Sequence, residues 1–322
     1  MVTKRTRKRR WARRRQAAGG WVFGAAAVFV SSAVALSVLA GVLSGGAHPW
    51  VIATYLRWPQ LVASAVATAV LFSRRWLRTA SAAAVVTAAL VVSIALPLLQ
   101  LRTADAPRVG DTLRIAVFNT GPRNDEIAAI ADAIRAAQPD VAVLLESEDV
   151  ADEVDARLDG LSRLPTDDGP VAASAPIVLA RHAWPLQIAP LADGRPATIV
   201  TADIAGSAVD IVAVHTLPPL LRAWAATHDR QMEALANDVL PRPGPYVVAG
   251  DLNSTPWSPS MRRLLATGLR GSTVLPTFGV QVVGIPLDHV LLSPKVVAIA
   301  REMGPFAGSD HRLIMTEVAL RS

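Results

Sequence analysis

The sequence predicts a four-layered α/β sandwich, two packed mixed sheets flanked by helices, preceded by an N-terminal transmembrane helical bundle. Three observations carry this expectation. Residues 21–43 and 79–99 hold no charged side chain, and about 20 such residues cross a hydrocarbon core as a helix. From residue 112 onward, short runs rich in Val, Ile and Leu alternate with a few amphipathic segments. Those runs outnumber the long helices, so the apolar strands must be covered by a second sheet as well as by helices.

Composition agrees. The chain has 322 residues, of which 52% are hydrophobic, more than a soluble enzyme of this length carries. It has no Cys, which excludes disulfides and thiolate zinc sites. The net charge of +6 hides an asymmetry: residues 1–18 carry nine Lys or Arg and no acid, whereas residues 103–322 hold 18 basic residues against all 26 acids. The large C-terminal region therefore lacks the basic footprint of a non-specific nucleic-acid binder.

In chain order, residues 1–20 read as a basic cytoplasmic tail and 21–100 as three transmembrane helices, at about 21–43, 50–72 and 79–99. The middle one contains Arg57 and Pro59, tolerable only near a helix end; a re-entrant hairpin is the alternative there. The loop "SRRWLR" and the basic tail fall on one side and "SGGAHPW" on the other. The positive-inside rule then makes the chain a multi-pass cell-membrane protein with residues 103–322 outside the cytoplasm. The bilayer is thus the first expected partner. Residues 101–111 read as a linker, and 112–322 as one catalytic domain.

Within that domain "LRIAVFN" reads as a buried strand ending at Asn119. "NDEIAAIADAIRAAQ" reads as a helix behind a capping Asn124, and "DVAVLLE" as a strand ending at Glu146. Further strands are expected at 174–180, 198–204, 209–215, 246–250, 287–292 and 312–319, with helices near 222–239 and 259–267. Asn119, Glu146, His215, Asp251 with Asn253, and Asp288 with His289 each close an apolar run, and Asp310 with His311 precede one. Gathered on one rim, so many polar groups need a cation or an anionic substrate to balance them. Oxygen-rich side chains without Cys or an H-E-x-x-H pattern favour Mg²⁺, with Mn²⁺ as a substitute.

The order "RIAVFN", "DVAVLLE", "VDIVAVH", "GDLNSTP", "LDHVLLS", "SDHRLI" resembles the endonuclease/exonuclease/phosphatase superfamily over about 112–320. Its members include pancreatic-type deoxyribonucleases, apurinic endonucleases, bacterial sphingomyelinases and inositol polyphosphate phosphatases. The chain also resembles a membrane-anchored bacterial branch. The resemblance implies metal contacts at Glu146, Asn119 and Asp310. It further implies catalytic roles for Asp251 (orienting water), Asn253 and His215 (phosphate contacts), His311 (scissile phosphate) and its partner Asp288. It implies a Mg²⁺-dependent phosphoesterase acting on a lipid head group, a sugar phosphate or nucleic acid. The alternatives are an extracytoplasmic nuclease and an inactive membrane-tethered binding module.

Gly121 stands where some nuclease branches have an acid, and Arg181 where relatives have a site-supporting arginine. "PTFGV" and Trp257 are candidates for an apolar substrate wall or for plain packing. His182, His228 and Arg230 read as surface or capping residues, and Gln231 as a support behind His215.

Overall fold

The computed structural model describes residues 4–43, 47–99, 112–166, 175–240, 243–271, 273–279 and 284–321. The expected linker, 101–111, lies outside them. Helix α1 (Lys4–Leu43) continues through the basic segment without a break. The stretch 50–72 is not one helix but two, α2 (Ile52–Tyr55) and α3 (Arg57–Ser73). Pro59 supplies the reason, because its ring has no N–H and collides with the carbonyl four residues earlier, at Tyr55, where α2 ends.

Helix α4 (Leu77–Leu98) follows. Among the described residues, Trp21–Leu43 and Leu77–Leu98 are the two helices long and apolar enough to cross a membrane; α3, with 17 residues, falls short of about 20. Large side chains on those two helices, including Phe29, Leu36, Val85 and Val92, face outward, the reverse of a soluble core helix. Polar groups turn inward instead: Gln60 Nε2 donates to Ser37 Oγ at 2.9 Å, and Ser64 Oγ lies 2.8 Å from Thr87 Oγ1. Gly41 abuts Thr54 and Gly24 abuts Trp76, so α1 and the α2–α3 pair run antiparallel. One end of the bundle is thus formed by residues near 41, 54 and 94, and the other by Trp76 and its neighbours.

The remaining chain forms two sheets. The first has six strands in the order β10 (Val296–Met303), β11 (Ile314–Leu320), β1 (Thr112–Asn119), β2 (Val141–Leu145), β4 (Ile177–Ala180) and β3 (Ser162–Arg163); the second has five in the order β5 (Leu186–Pro190), β6 (Pro196–Ile204), β7 (Ser207–His215), β8 (Tyr246–Asp251) and β9 (Asp288–Leu292). β1 (Thr112–Asn119) pairs in parallel with β2 (Val141–Leu145) after the crossover helix α5 (Ile127–Ala137). The second sheet repeats this unit: β7 (Ser207–His215) pairs in parallel with β8 (Tyr246–Asp251) across α7 (Arg222–Ala234), which ends in one π-helical turn, Leu235–Val239. β11 (Ile314–Leu320) and β9 (Asp288–Leu292) lie antiparallel to β1 and β8.

Inward-facing Ile115, Val117, Val143, Ile211, Val247 and Val290 form the core between the sheets. α5 and the short α6 (Ala151–Asp155) cover the outer face of the first sheet through Ile130, Ile134 and Val154. α7 and α8 (Pro259–Leu265) cover the second through Met232, Leu235 and Met261. This makes the four layers the sequence predicts.

Three strands were not expected: β3 (Ser162–Arg163), β5 (Leu186–Pro190) and β10 (Val296–Met303). All three are sheet edges. Edge strands need no two-sided apolar pattern, and a register shift between Ala298 and Ala300 further disrupts alternation in β10. β6 (Pro196–Ile204) and β4 (Ile177–Ala180) lie where strands were expected.

This topology builds the rim. The C-terminal ends of all four parallel strands carry polar side chains: Asn119 on β1, Glu146 after β2, His215 on β7 and Asp251 on β8. Because β9 and β11 are antiparallel to their neighbours, their first residues come to the same edge. Asp288 sits opposite Asp251 in register, and His311 precedes Ile314, which pairs with Val117.

Candidate active site

Asp251 is the hub. Its side chain is buried, with Oδ1 accepting the Asn253 N–H at 2.8 Å and Oδ2 accepting from Asn119 Nδ2 at 3.1 Å. His215 Nε2 and His311 Nε2 approach the same Oδ2 at 3.9 and 3.8 Å, too far for direct hydrogen bonds but suited to an intervening oxygen. Burial, then the neighbouring Asp288 carboxylate, raises the proton affinity of Asp251 above the usual carboxyl range, while His311 and His215 oppose the shift.

The strand that delivers Asp251 depends on Gly250. Its φ is +151°, and a Cβ there would lie 1.9 Å from the Val214 carbonyl oxygen, so the close approach of β8 to β7 requires glycine. Two non-glycine residues at the site, Glu146 and Asn253, have φ of +52° and +42°. This left-handed geometry turns both away from the strand direction. Thr120 Oγ1 donates to the Leu145 and Glu146 carbonyls, and Thr216 Oγ1 to the Leu252 carbonyl at 2.6 Å. These two threonines pin the corresponding turns of the two βαβ units.

His311 and Asp288 form a tight pair, Nδ1 to Oδ2 at 2.8 Å. Burial alone would pull the His311 imidazole down, but the Asp288 charge and hydrogen bond, with Asp251 and Asp310 behind them, push it up to about 9. His311 is therefore an imidazolium at neutral pH, with Nε2–H free to donate. The Phe278 ring packs on it, centroids 4.8 Å apart.

On the other flank Arg195 Nη1 donates to His215 Nδ1 at 3.0 Å. A guanidinium only donates, so the imidazole proton sits on Nε2, which faces Glu146 Oε1 at 3.4 Å. The bond from His215 holds the Glu146 carboxyl below its usual range against the opposing effect of partial burial. Asn119 Nδ2 also donates to Glu146 Oε1.

The structure places the expected residues as follows. Glu146, His215, Asp251, Asn253, Asp310 and His311 all line one cavity of about 640 Å³. Asn119 and Asp288 stand behind it, bonded to Asp251 and His311. Asn119 turns its amide N–H₂ to the carboxylates and its Oδ1 to the Gly121 N–H at 3.0 Å; in this geometry it is a donor, not an oxygen ligand. The tightest group of possible ligand atoms among the described residues is Asp251, Asp288 and His311, all within 4.8 Å of one another. That trio is not the expected one of Glu146, Asn119 and Asp310.

A cation nevertheless fits this rim. Among the described residues, no Lys or Arg forms an ion pair with Glu146, Asp251, Asp288 or Asp310; the cationic partners of the first three are histidines. Asp288 Oδ1 is buried without a partner. Uncompensated carboxylate oxygens suit a hard divalent ion.

Other expectations shift. Arg181 follows β4 and bonds Asp140 and the Pro139 carbonyl at the start of β2, the edge opposite the site. His289 faces inward, accepting from Thr273 N and donating to the Ser254 carbonyl; burial pulls it down to about 4. His228 is likewise buried and neutral, donating to the Leu217 carbonyl and bonding Ser254 Oγ. Gln231 accepts the Leu217 N–H, bracing the loop after His215. Asn124 Oδ1 accepts the N–H of Glu126, the residue before α5, at 3.0 Å, and its Nδ2 donates to the Thr120 and Ala307 carbonyls, so it holds the loop entering the helix while the helix N-terminus itself has no side-chain cap. Of the apolar candidates Phe278 lines the cavity, whereas Trp257 packs on Ile94 with its Nε1–H on the Ser93 carbonyl. Sequence reasoning missed Arg195, Thr120 and Thr216. The first is joined to the site only by tertiary folding; the threonines had a signal in their repeated place directly after Asn119 and His215.

The sequence model of the Endonuclease/Exonuclease/phosphatase family matches residues 115–311. No curated protein sequence matches the chain. Among solved structures, an endonuclease/exonuclease/phosphatase from Beutenbergia cavernae DSM 12333 is similar at 21% identity and TM-score 0.51, covering 65% of this chain and 72% of that one. A humanised D. rerio TDP2 gives 17% identity and TM-score 0.53, with 65% and 99% covered. A functionally unknown conserved protein from Enterococcus faecalis V583 gives 14% identity and TM-score 0.55, with 65% and 100% covered. At these identities the structures speak for the fold. The family match spans more than half of the chain and contains all eight site residues singled out from the sequence, from Asn119 to His311, and on that ground the chain belongs to the Endonuclease/Exonuclease/phosphatase family.

Proposed function

We propose that the protein is a membrane-anchored, Mg²⁺-dependent phosphoesterase whose catalytic domain works outside the cytoplasm, with phosphodiesters favoured over monoesters. The observation that carries the reading is Asp251 Oδ2, held by Asn119 between two histidine Nε2 atoms at 3.8 and 3.9 Å. That spacing leaves room for a water and phosphoryl oxygens. Asp251, with its raised proton affinity, takes the proton of the attacking water. His311 donates from Nε2 to a non-bridging oxygen as charge builds there, and Asp288 keeps it charged and oriented. Asn253 adds an amide donor, and His215, fixed by Arg195, presents a second N–H. Glu146 would hold a divalent cation, which when bound would neutralise phosphoryl charge. Asp310 stands at the same rim, against the Gly121 turn, as a further carboxylate for that ion.

Two features support the membrane side of the reading: the outward apolar faces of the two long helices, and the end of the bundle that meets the domain. Contacts from the helices run from Tyr55, Trp58 and Ser93 to Asn253, Val274 and Trp257. This is the end away from Arg74, Arg75 and Arg78, which the positive-inside rule assigns to the cytoplasm. The test is turnover of methyl p-nitrophenyl phosphate by the full-length chain in nanodiscs, with Mg²⁺ and after EDTA. Loss of at least about 100-fold on chelation is expected; equal rates in both conditions overturn the metal assignment.

A further inference from the structure

The cavity is larger and more apolar than a phosphate group requires. Its polar floor occupies one end, and its walls are Ile52 and Leu56 from the helical region, Leu217 and Leu220 from the loop after His215, Trp224 at the start of α7, and Ile285. One wall of the pocket therefore comes from the chain between the two membrane-length helices and not from the catalytic domain.

That wall is fixed in place. Tyr55 Oη donates to the carbonyl of Asn253 itself at 2.9 Å, and Val51 and Tyr55 pack on Leu287 with Ile52, Phe278 and Ile285 around them. Across the opening, His48 Nε2 lies 3.1 Å from the Leu220 carbonyl, tying the 217–221 loop to the segment that leaves α1. Apolar groups of the cavity lining are uncovered: Leu220 is 60% exposed, Trp224 41% and Leu56 40%. Exposed Leu and Trp grouped at one end of a bundle of apolar helices are suited to the boundary between head groups and acyl chains. A continuous apolar path thus leads from the lipid-facing end of the bundle to Asp251 and His311. Among the described residues the lining carries no Lys, its Arg195 is engaged on His215, and the domain has an acidic excess, unlike the basic track of a nucleic-acid channel.

We propose that the pocket takes a phosphoester whose alcohol carries a long apolar chain, drawn from the bilayer between α2 and the 217–221 loop, with the chain against Ile52, Leu56 and Leu220 and the phosphorus beside Asp251 and His311. This assignment of substrate class rests on the phosphoesterase reading above. It makes the helical region part of the substrate site as well as an anchor.

The experiment compares hexadecyl p-nitrophenyl phosphate with methyl p-nitrophenyl phosphate, which share a leaving group and differ only in the chain. Both are presented to the full-length protein in the same mixed micelles with Mg²⁺, and single-stranded DNA is assayed alongside. A kcat/KM ratio of at least about 30 in favour of the hexadecyl ester is expected, together with a fall of that ratio by at least about 10-fold in Leu56→Asp and Leu220→Asp. Leu220 is mostly exposed, so its variant keeps the test valid if Leu56→Asp does not fold. A ratio near unity, a ratio that Leu220→Asp leaves unchanged, or faster cleavage of DNA overturns the lipid assignment while leaving the phosphoesterase reading intact. Cleavage of none of the three overturns both.

Discussion

Gly250→Ala is expected to abolish the folded catalytic domain. The added Cβ would stand 1.9 Å from the Val214 carbonyl oxygen, in a backbone conformation at φ +151° that L residues rarely adopt. That oxygen belongs to backbone in the parallel β7–β8 pair at the centre of the second sheet, where no side chain can swing aside. Relief demands separating two central strands whose ends carry His215 and Asp251. A loss of more than about 4 kcal/mol is expected, beyond the range of ordinary core substitutions. Gly206→Ala is the matched control, since its φ is +81° but a Cβ there meets nothing within 4 Å; it should cost only about 1 kcal/mol. Thermal unfolding of the full chain in micelles compares the two, and similar transitions for both variants would contradict the close-approach argument.

Asp251→Asn is expected to lower kcat by at least about 100-fold with little change in KM. The asparagine keeps the shape and an acceptor for the Asn253 N–H, so the β8 turn retains its 2.8 Å bond. What it loses is the carboxylate that receives a proton, the charge that faces His215 and His311, and the acceptor for Asn119 Nδ2. The split between kcat and KM separates this from a merely structural role, which would lower the folded fraction or weaken binding. Turnover within a few-fold of the wild type would remove Asp251 from the chemistry.

The fold class was legible because strand ends and strand cores differ so sharply here. "DVAVLLE" and "YVVAGDLN" each run from fully buried residues into a polar turn, and two such parallel pairs define both sheets. The edge strands left no comparable pattern, since β3 is exposed and β5 and β10 are only partly buried. At the rim, sequence position alone brought Asn119, Glu146, His215, Asp251, Asp288 and His311 into one list, because strand direction decides which edge a residue occupies. Orientation was not legible in the same way. Asp288 and His289 are adjacent, yet a strand turns them to opposite faces, so Asp288 meets His311 while His289 is locked to Ser254. Arg195 reaches His215 only through the β6–β7 hairpin, a pairing that no local spacing encodes. The partnership between α2 and the cavity was equally hidden, since Ile52 and Leu56 read simply as apolar residues of a membrane segment.

The central claim is that the acids on this rim hold a hard divalent cation for phosphoester chemistry, and Mn²⁺ binding tests it most directly. Electron paramagnetic resonance of Mn²⁺ titrated into the full-length chain in nanodiscs is compared with the same titration of Glu146→Gln, which removes the charge but not the shape of a side chain at the cavity. Saturable binding that Mg²⁺ displaces and that weakens at least about 10-fold in the variant is the predicted result. Mn²⁺ signals identical in the two proteins, or no saturable binding by the wild type, would contradict it.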